Sequence, residues 1–381
     1  GVERCLFGNG KELHFKKLMD FDTIGGKSNK NGARFDLDAM YVNWLGLSLK
    51  CYLPKSENSL SYVWESLKGK ISYCNIKRLM FSSGWRYYAE IVVSGAAPTR
   101  VSIGTSTMGI DPGVSTIAGV SEDACVLEEL APNAIQYEKK IQKISQSMDR
   151  SRRISNPNKY NEDGTINRSN RDPWKYSKNY VKMCRLLKSL YRKKHAYIVD
   201  SHRELCNKLI TIAKYFPVEK MHFQALQKRA KETKRQEKKT EVKQKDGTVK
   251  VIQKYKRKKR FGRSINRRAP ARFLLELKRK AEAVGGVYAE VDTKEFKASQ
   301  YNHVTDTYEK IPLSQREKEI GNRKVQRDLY SAFLIRNADL DFKHPDREKC
   351  EYEFEYFANL QDQLILKMKE SGLSMRQCFG F

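Results

Sequence analysis

The stretch Trp85-Arg86-Tyr87-Tyr88-Ala89-Glu90-Ile91-Val92-Val93 is β-branched and aromatic with near alternation, the pattern of a half-buried strand. Ser82-Ser83-Gly84 before it is turn chemistry, so 71–73, 76–80 and 85–93 predict strands in a β-rich region over residues 1–100. Residues 107–120 predict a strand, a turn at Pro112-Gly113 and a returning strand. The period then lengthens. Ile135, Ile141, Ile144 and Met148 recur at helical spacing over 133–150. After a polar loop at 155–172, Val181, Cys184, Leu187, Tyr191, Ile198, Leu205 and Leu209 form one stripe of a long helix over about 176–213. A short extended segment at 216–223 follows. Beyond Pro270 come a helix carrying Phe273, Leu274, Leu277 and Ala281, a Gly285-Gly286 stop and a strand at 287–291. A polar stretch to Gly321 then leads to a last amphipathic helix with Leu329, Ala332, Phe333 and Ile335.

A chain of 381 residues with 39% apolar and 10% aromatic positions can bury two or three domain cores and is not wholly disordered. No apolar run reaches the roughly 18 residues of a membrane span, and no signal-peptide pattern opens the chain. The eight Cys are scattered, none at zinc-ribbon or thioredoxin spacing, as for reduced thiols in a cytoplasmic protein. Charge narrows the field further. Seventy-four Lys and Arg against 45 Asp and Glu give a net +29, an excess that folding does not need and a polyanion would compensate. Nineteen Lys and Arg against four Asp and Glu lie within 228–268, a net of +15. Such blocks are often only solvated tails, but here Tyr255 and Phe261 are interleaved and offer faces for base stacking. Lys254, Tyr255, Lys256, Arg257, Lys258, Lys259, Arg260, Arg263, Arg267 and Arg268 are the candidate nucleic-acid contacts.

Three acids stand where chemistry could use them. Asp111 follows an apolar strand and precedes Pro-Gly, although Asp is also an ordinary turn residue there. Glu219 sits in Pro217-Val218-Glu219-Lys220-Met221, and Asp328 opens the last helix, where an acid also suits the helix dipole. Separated carboxylates on two strands and a helix are what a two-metal phosphodiester site requires.

Met108-Gly109-Ile110-Asp111-Pro112-Gly113-Val114, Val218-Glu219-Lys220-Met221 and Arg327-Asp328-Leu329-Tyr330-Ser331-Ala332 resemble, in this order, the three motifs of RuvC-type nucleases, specifically of the TnpB proteins of insertion sequences, relatives of type V CRISPR effectors. The resemblance implies an RNA-guided DNA endonuclease with Asp111, Glu219 and Asp328 as catalytic, metal-binding acids, two Mg²⁺ ions, and guide RNA and target DNA as partners. A rival alignment puts Gln224 in the acid's place and would mean a weakened site, hence an RNA-guided binder that does not cut. A guide-free basic nucleic-acid-binding protein is the other alternative. The family's four-Cys zinc ribbon has no Cys here, so no zinc is expected, only a remnant loop at 293–322. The fold expected is α/β: an RNase H-like (RuvC) domain interrupted by a basic insert and preceded by a β-rich wedge (OB-like barrel) domain. Its divisions are the wedge at 1–102, RuvC-like parts at 103–223 and 269–345, the insert at 224–268 and a C-terminal tail at 346–381. No membrane partner is expected, and the oligomeric state stays open.

Overall fold

The computed structural model describes residues 21–227, 235–243, 248–255, 261–312 and 315–373. The chain divides into two compact units, residues up to 99 with 137–194, and residues 100–136 with 195 onward. Segment 137–194, expected within the first RuvC-like part, thus groups with the N-terminal region.

In the first unit, β1 (Thr23–Gly25) pairs with β5 (Ile71–Phe81), and β5 forms a long hairpin with β6 (Gly84–Val93) through the anticipated Ser-Ser turn. Strands β2 (Arg34–Asp36), β3 (Tyr41–Trp44) and β4 (Leu47–Lys50) form a separate antiparallel sheet. The helix α1 (Glu57–Leu67) contributes Leu67 to a core shared with Ala33, Phe35, Val42 and Cys74. Two basic helices, α2 (Ala134–Ser155) and α3 (Lys178–Ile212), each begin in one unit and end in the other. Within the first unit the loop between them is stitched by Asn156, whose side chain bonds the carbonyls of Arg152 and Lys175, both at 2.8 Å.

The second unit is built on one mixed sheet. Its strands are β7 (Ser106–Thr107), β8 (Gly109–Pro112), β9 (Thr116–Val120), β10 (Cys125–Glu129), β11 (Ala213–Glu219) and β14 (Val287–Val291), in the order β10-β9-β8-β11-β14 with β7 also on β11. The first three of that order are antiparallel; β11 runs parallel to β8, and β14 parallel to β11. Pro217, in the interior of β11, has no N–H to give, and the ladder on its β7–β8 side breaks between Thr107 and Gly109, where that bond would fall. Between β11 and β14 lie the short helix α4 (Phe223–Gln227), the antiparallel hairpin β12 (Arg235–Lys243) and β13 (Val249–Tyr255), then α5 (Gly262–Arg268) and α6 (Pro270–Ala283). The short α7 (Thr293–Phe296) follows β14.

Period-two alternation gives the sheet two faces. Ile110 and Val218, paired in register, turn toward a core with Leu205, Leu209, Phe273 and Leu277 of α3 and α6. Ala118 and Val120 turn the other way, onto α8 (Arg327–Arg336) and α9 (Arg347–Glu370). Residues 347–370, assigned to a tail, are therefore a packed helix. Cys350, Phe354, Phe357 and Ile365 recur at helical spacing on its buried side.

The expected remnant loop is also structured. After α7, β15 (Tyr301–Asn302) pairs with β16 (Thr307–Tyr308), and β17 (Glu317–Ile320) with β18 (Arg323–Gln326). Tyr301 and His303 are buried among rings: Tyr301 lies 5.0 Å from Tyr308 and 4.8 Å from His344, and His303 lies 4.8 Å from Phe354. The Tyr330 hydroxyl accepts from the His303 backbone N–H at 3.2 Å and meets His303 Nδ1 at 2.7 Å. Buried Lys318 donates to the Tyr301 carbonyl at 2.6 Å. Apolar burial and satisfied polar groups order this stretch, which reads as a loop only because its strands are two to four residues long.

Candidate functional site: three carboxylates on one sheet face

Because Ile110 and Val218 face α3 and α6, the next residues, Asp111 and Glu219, emerge side by side on the opposite face, the one that α8 covers. Asp328 lies in the first turn of α8. What lets that helix come so close is Gly109: a Cβ there would overlap the Ala332 carbonyl oxygen and the Arg336 amide nitrogen. The N-terminus of α8 is itself fixed. Buried Gln326 caps it, accepting from Leu329 N at 2.7 Å, while the Gln326 N–H donates to Gln361 of α9 at 2.8 Å.

The three acids sense one another. Burial first, then the charges of Glu219 and Asp328, push the Asp111 carboxyl well above the usual carboxylate range, against the opposing pull of Arg327. A side-chain hydrogen bond between Asp111 and Glu219 raises Asp111 further and works against the rise at Glu219. Burial also raises Glu219, opposed by that bond and by one from Thr293. The Thr293 hydroxyl is anchored as well, donating to the Lys220 carbonyl at 2.6 Å.

Asp328 is neutralised differently. Its Oδ1 accepts from Arg327 at 2.9 and 3.1 Å, and its Oδ2 from Arg316 at 3.3 Å and Gln326 at 3.4 Å. Arg327 is buried and also donates to the Gln315 carbonyl at 3.2 Å. Among the described residues, no three His, Cys, Asp or Glu side chains stand as a ready-made metal cage. Both Asp328 oxygens are turned to guanidinium groups, and Asp111 and Glu219 are turned to each other. The donor set still fits hard divalent cations: three oxygen ligands that repel one another and are part-buried on rigid elements.

Gln224 of the rival alignment lies apart from this pairing, exposed on α4. Arg316 and Thr293 escaped sequence reasoning, since both fall in the stretch taken for a remnant loop. Of the basic candidates, Lys254 and Tyr255 lie on β13, and Lys256, Arg257, Lys258, Lys259 and Arg260 lie outside the described residues. Arg263 is exposed on α5, and Arg267 is half-buried in its last turn. Arg268 differs from the expectation: it is 12% exposed and forms an ion pair with Glu129 of β10. The Ser264 hydroxyl donates to Val114 O at 3.2 Å, beside the turn that follows Asp111.

No known protein family and no curated protein sequence matches the chain. Among solved structures, a Cas12f1–sgRNA–target DNA complex is similar with a TM-score of 0.43 and 12% identity, over 74% of this chain and 48% of that one. A CRISPR–Cas12f ternary complex is similar with a TM-score of 0.34 and 14% identity, over 83% and 51%. The chain spans about half the length of these solved chains. Likeness at such TM-scores is too loose to transfer a site or an activity. Among the described residues, no helix is long and apolar enough to cross a membrane.

Proposed function

We propose that the chain is an RNA-guided, Mg²⁺-dependent DNA endonuclease of the TnpB and type V effector kind, with an RNase H-like (RuvC) domain preceded by a β-rich wedge. The observation that carries the catalytic part is the meeting of Asp111, Glu219 and Asp328 on one sheet face, close enough for Asp111 to respond to both of the others. The strand order, three antiparallel strands followed on one side by two parallel ones, supports the RNase H-like reading. Guide RNA and target DNA are the partners the proposal requires, and the net charge of +29 supports polyanion binding.

Held by Asp111, Glu219 and Asp328, Mg²⁺ would activate the attacking water and stabilise the leaving oxygen. The chain's own residues do the positioning. Asp111 and Glu219 stand on adjacent, mostly buried strands, so their spacing is set by the sheet. The Thr293 hydroxyl, donated to the Lys220 carbonyl, stands beside Glu219 and fixes the backbone just after it. Arg327, buried beside Asp328, holds that carboxylate in place through two hydrogen bonds. Arg316, 43% exposed, is able to exchange Asp328 for a phosphate oxygen of the same charge.

The test uses the purified protein with its copurified RNA, DNA matched to that RNA, and Mg²⁺. Wild type should cut; Asp111→Asn should bind equally and not cut. Cleavage by Asp111→Asn at the wild-type rate overturns the site. Binding without cleavage by wild type supports a second reading, a guided binder whose Asp328 stays locked on Arg316 and Arg327. Cleavage indifferent to the RNA sequence rejects guidance.

A further inference from the structure

One position of α9 breaks its apolar stripe. Gln361 recurs at helical spacing with Phe354, Phe357, Ala358 and Ile365 and is 0% exposed, yet it carries a carboxamide where packing alone would favour an apolar side chain. Its polar atoms go to the backbone of β18. Oε1 accepts from the Gln326 N–H at 2.8 Å, while Nε2 donates to the Lys324 carbonyl at 3.2 Å and to Asp362 Oδ1 at 3.3 Å. β17 pairs with one edge of β18, and among the described residues no strand takes the other. Gln361 stands there as the backbone of a neighbouring strand would, meeting the carbonyl of one residue and the N–H of the next but one.

The site begins where that edge ends. Gln326 is both the last residue of β18 and the N-cap of α8. Its Oε1 accepts from the Leu329 N–H at 2.7 Å, and its Nε2 donates to Asp328 Oδ2 at 3.4 Å. One buried carboxamide on α9 therefore holds the backbone of a second, and the second holds the turn that carries Asp328. Helix packing alone would be served better by leucine at 361. Pairing both groups of the edge fixes Gln326 in direction as well as in place. We infer that Gln361 is a positioning residue for the third acid, setting where Asp328 stands against Asp111 and Glu219 and so how tightly the three hold a divalent cation. The inference rests on the metal-binding role proposed above for these acids.

The experiment compares full-length wild type, Gln361→Met, which keeps the length of the side chain but not its two bonds, and Ile365→Ala, a packing control one turn along the same buried side. In metal-free protein, hydrogen exchange over 326–329 should quicken in Gln361→Met and stay unchanged over 117–120 in β9. Mn²⁺, read by electron paramagnetic resonance, should bind Gln361→Met about tenfold more weakly. Half-maximal cleavage of matched DNA should need about tenfold more Mg²⁺, with DNA binding and the rate at saturating Mg²⁺ near wild type. Ile365→Ala should unfold at lower urea yet bind Mn²⁺ as wild type. Faster exchange with unchanged Mn²⁺ affinity would make Gln361 merely structural; unchanged exchange, or an equal Mn²⁺ loss in Ile365→Ala, would also overturn the inference. Wild type that binds Mn²⁺ without cutting fails the nuclease proposal and leaves the Mn²⁺ comparison to decide this one, whereas wild type that binds no Mn²⁺ fails both.

Discussion

Gly109→Ala adds one methyl group at the point where β8 meets α8. Three backbone atoms of α8 crowd that methyl, and even the farthest, Arg336 Cα, would stand 2.8 Å from it. Carbon–carbon contacts without strain begin near about 3.5 Å, so strand and helix must part by roughly 1 Å. Because the obstacles are backbone atoms, no truncation of a neighbouring side chain relieves them. Overpacking of this kind costs about 1–3 kcal/mol, and the parting separates Asp111 from Asp328 directly. A displacement of about 1 Å at reacting groups is worth roughly 100-fold in rate. Urea unfolding should therefore show a loss of about 2 kcal/mol, and Mg²⁺-dependent cleavage a drop of about 100-fold at saturating Mg²⁺, with binding of matched DNA little changed. Wild-type stability together with wild-type cleavage in Gly109→Ala would refute the idea that close helix–strand packing assembles the site.

Asp111 gains affinity for its proton on folding, so it favours the folded chain in acid and opposes it as pH rises through the folded-state value. Asp111→Asn should raise the urea midpoint of metal-free protein at neutral pH and lose that advantage in acid; a lower midpoint at neutral pH would contradict the repulsion described. His202 and His303 are both buried, with burial depressing each pKa from 6.5 to about 4. Their stabilising effect is present above about pH 6.5 and lost as pH falls toward 4, up to about 3 kcal/mol each. Unfolding of His303→Gln followed from pH 7 to 4 should be visibly flatter than wild type. Arg316→Gln frees one Asp328 oxygen from a part-exposed ion pair, so Mn²⁺ binding, read by electron paramagnetic resonance, should tighten by up to about fivefold. Unchanged or weaker binding would show that the guanidinium does not compete with cations.

Much of the site was legible because it obeys local rules. An acid after a buried strand, twice, and an acid opening a helix are patterns that neighbouring residues disclose. The long α3 stripe and the β14 strand were equally plain. Their convergence was not, since it depends on Gly109 admitting α8 and on Ile110 and Val218 choosing the same face. Residues 293–322 read as a loop because Cys absence removed the one long-range marker, while Tyr301, His303 and Lys318 carry polar atoms that look solvent-facing until Asp306, Tyr330 and the Tyr301 carbonyl respectively receive them. The α9 helix was overlooked through its glutamates and exposed Tyr352, which mask a regular buried stripe. Arg268 looked like its basic neighbours, and only the position of Glu129 sets it apart.

The second unit is discontinuous along the chain: β10 ends at Glu129, and its sheet gains a fourth strand only when Ala213–Glu219 has been made. A ribosome therefore releases a three-stranded meander bearing Asp111 long before Glu219 exists, with an uncovered strand edge at β8 in the meantime. Synthesis slowed within α3 would prolong that exposure. Yield of the intact protein should thus be more sensitive to translation rate there than in the last helix.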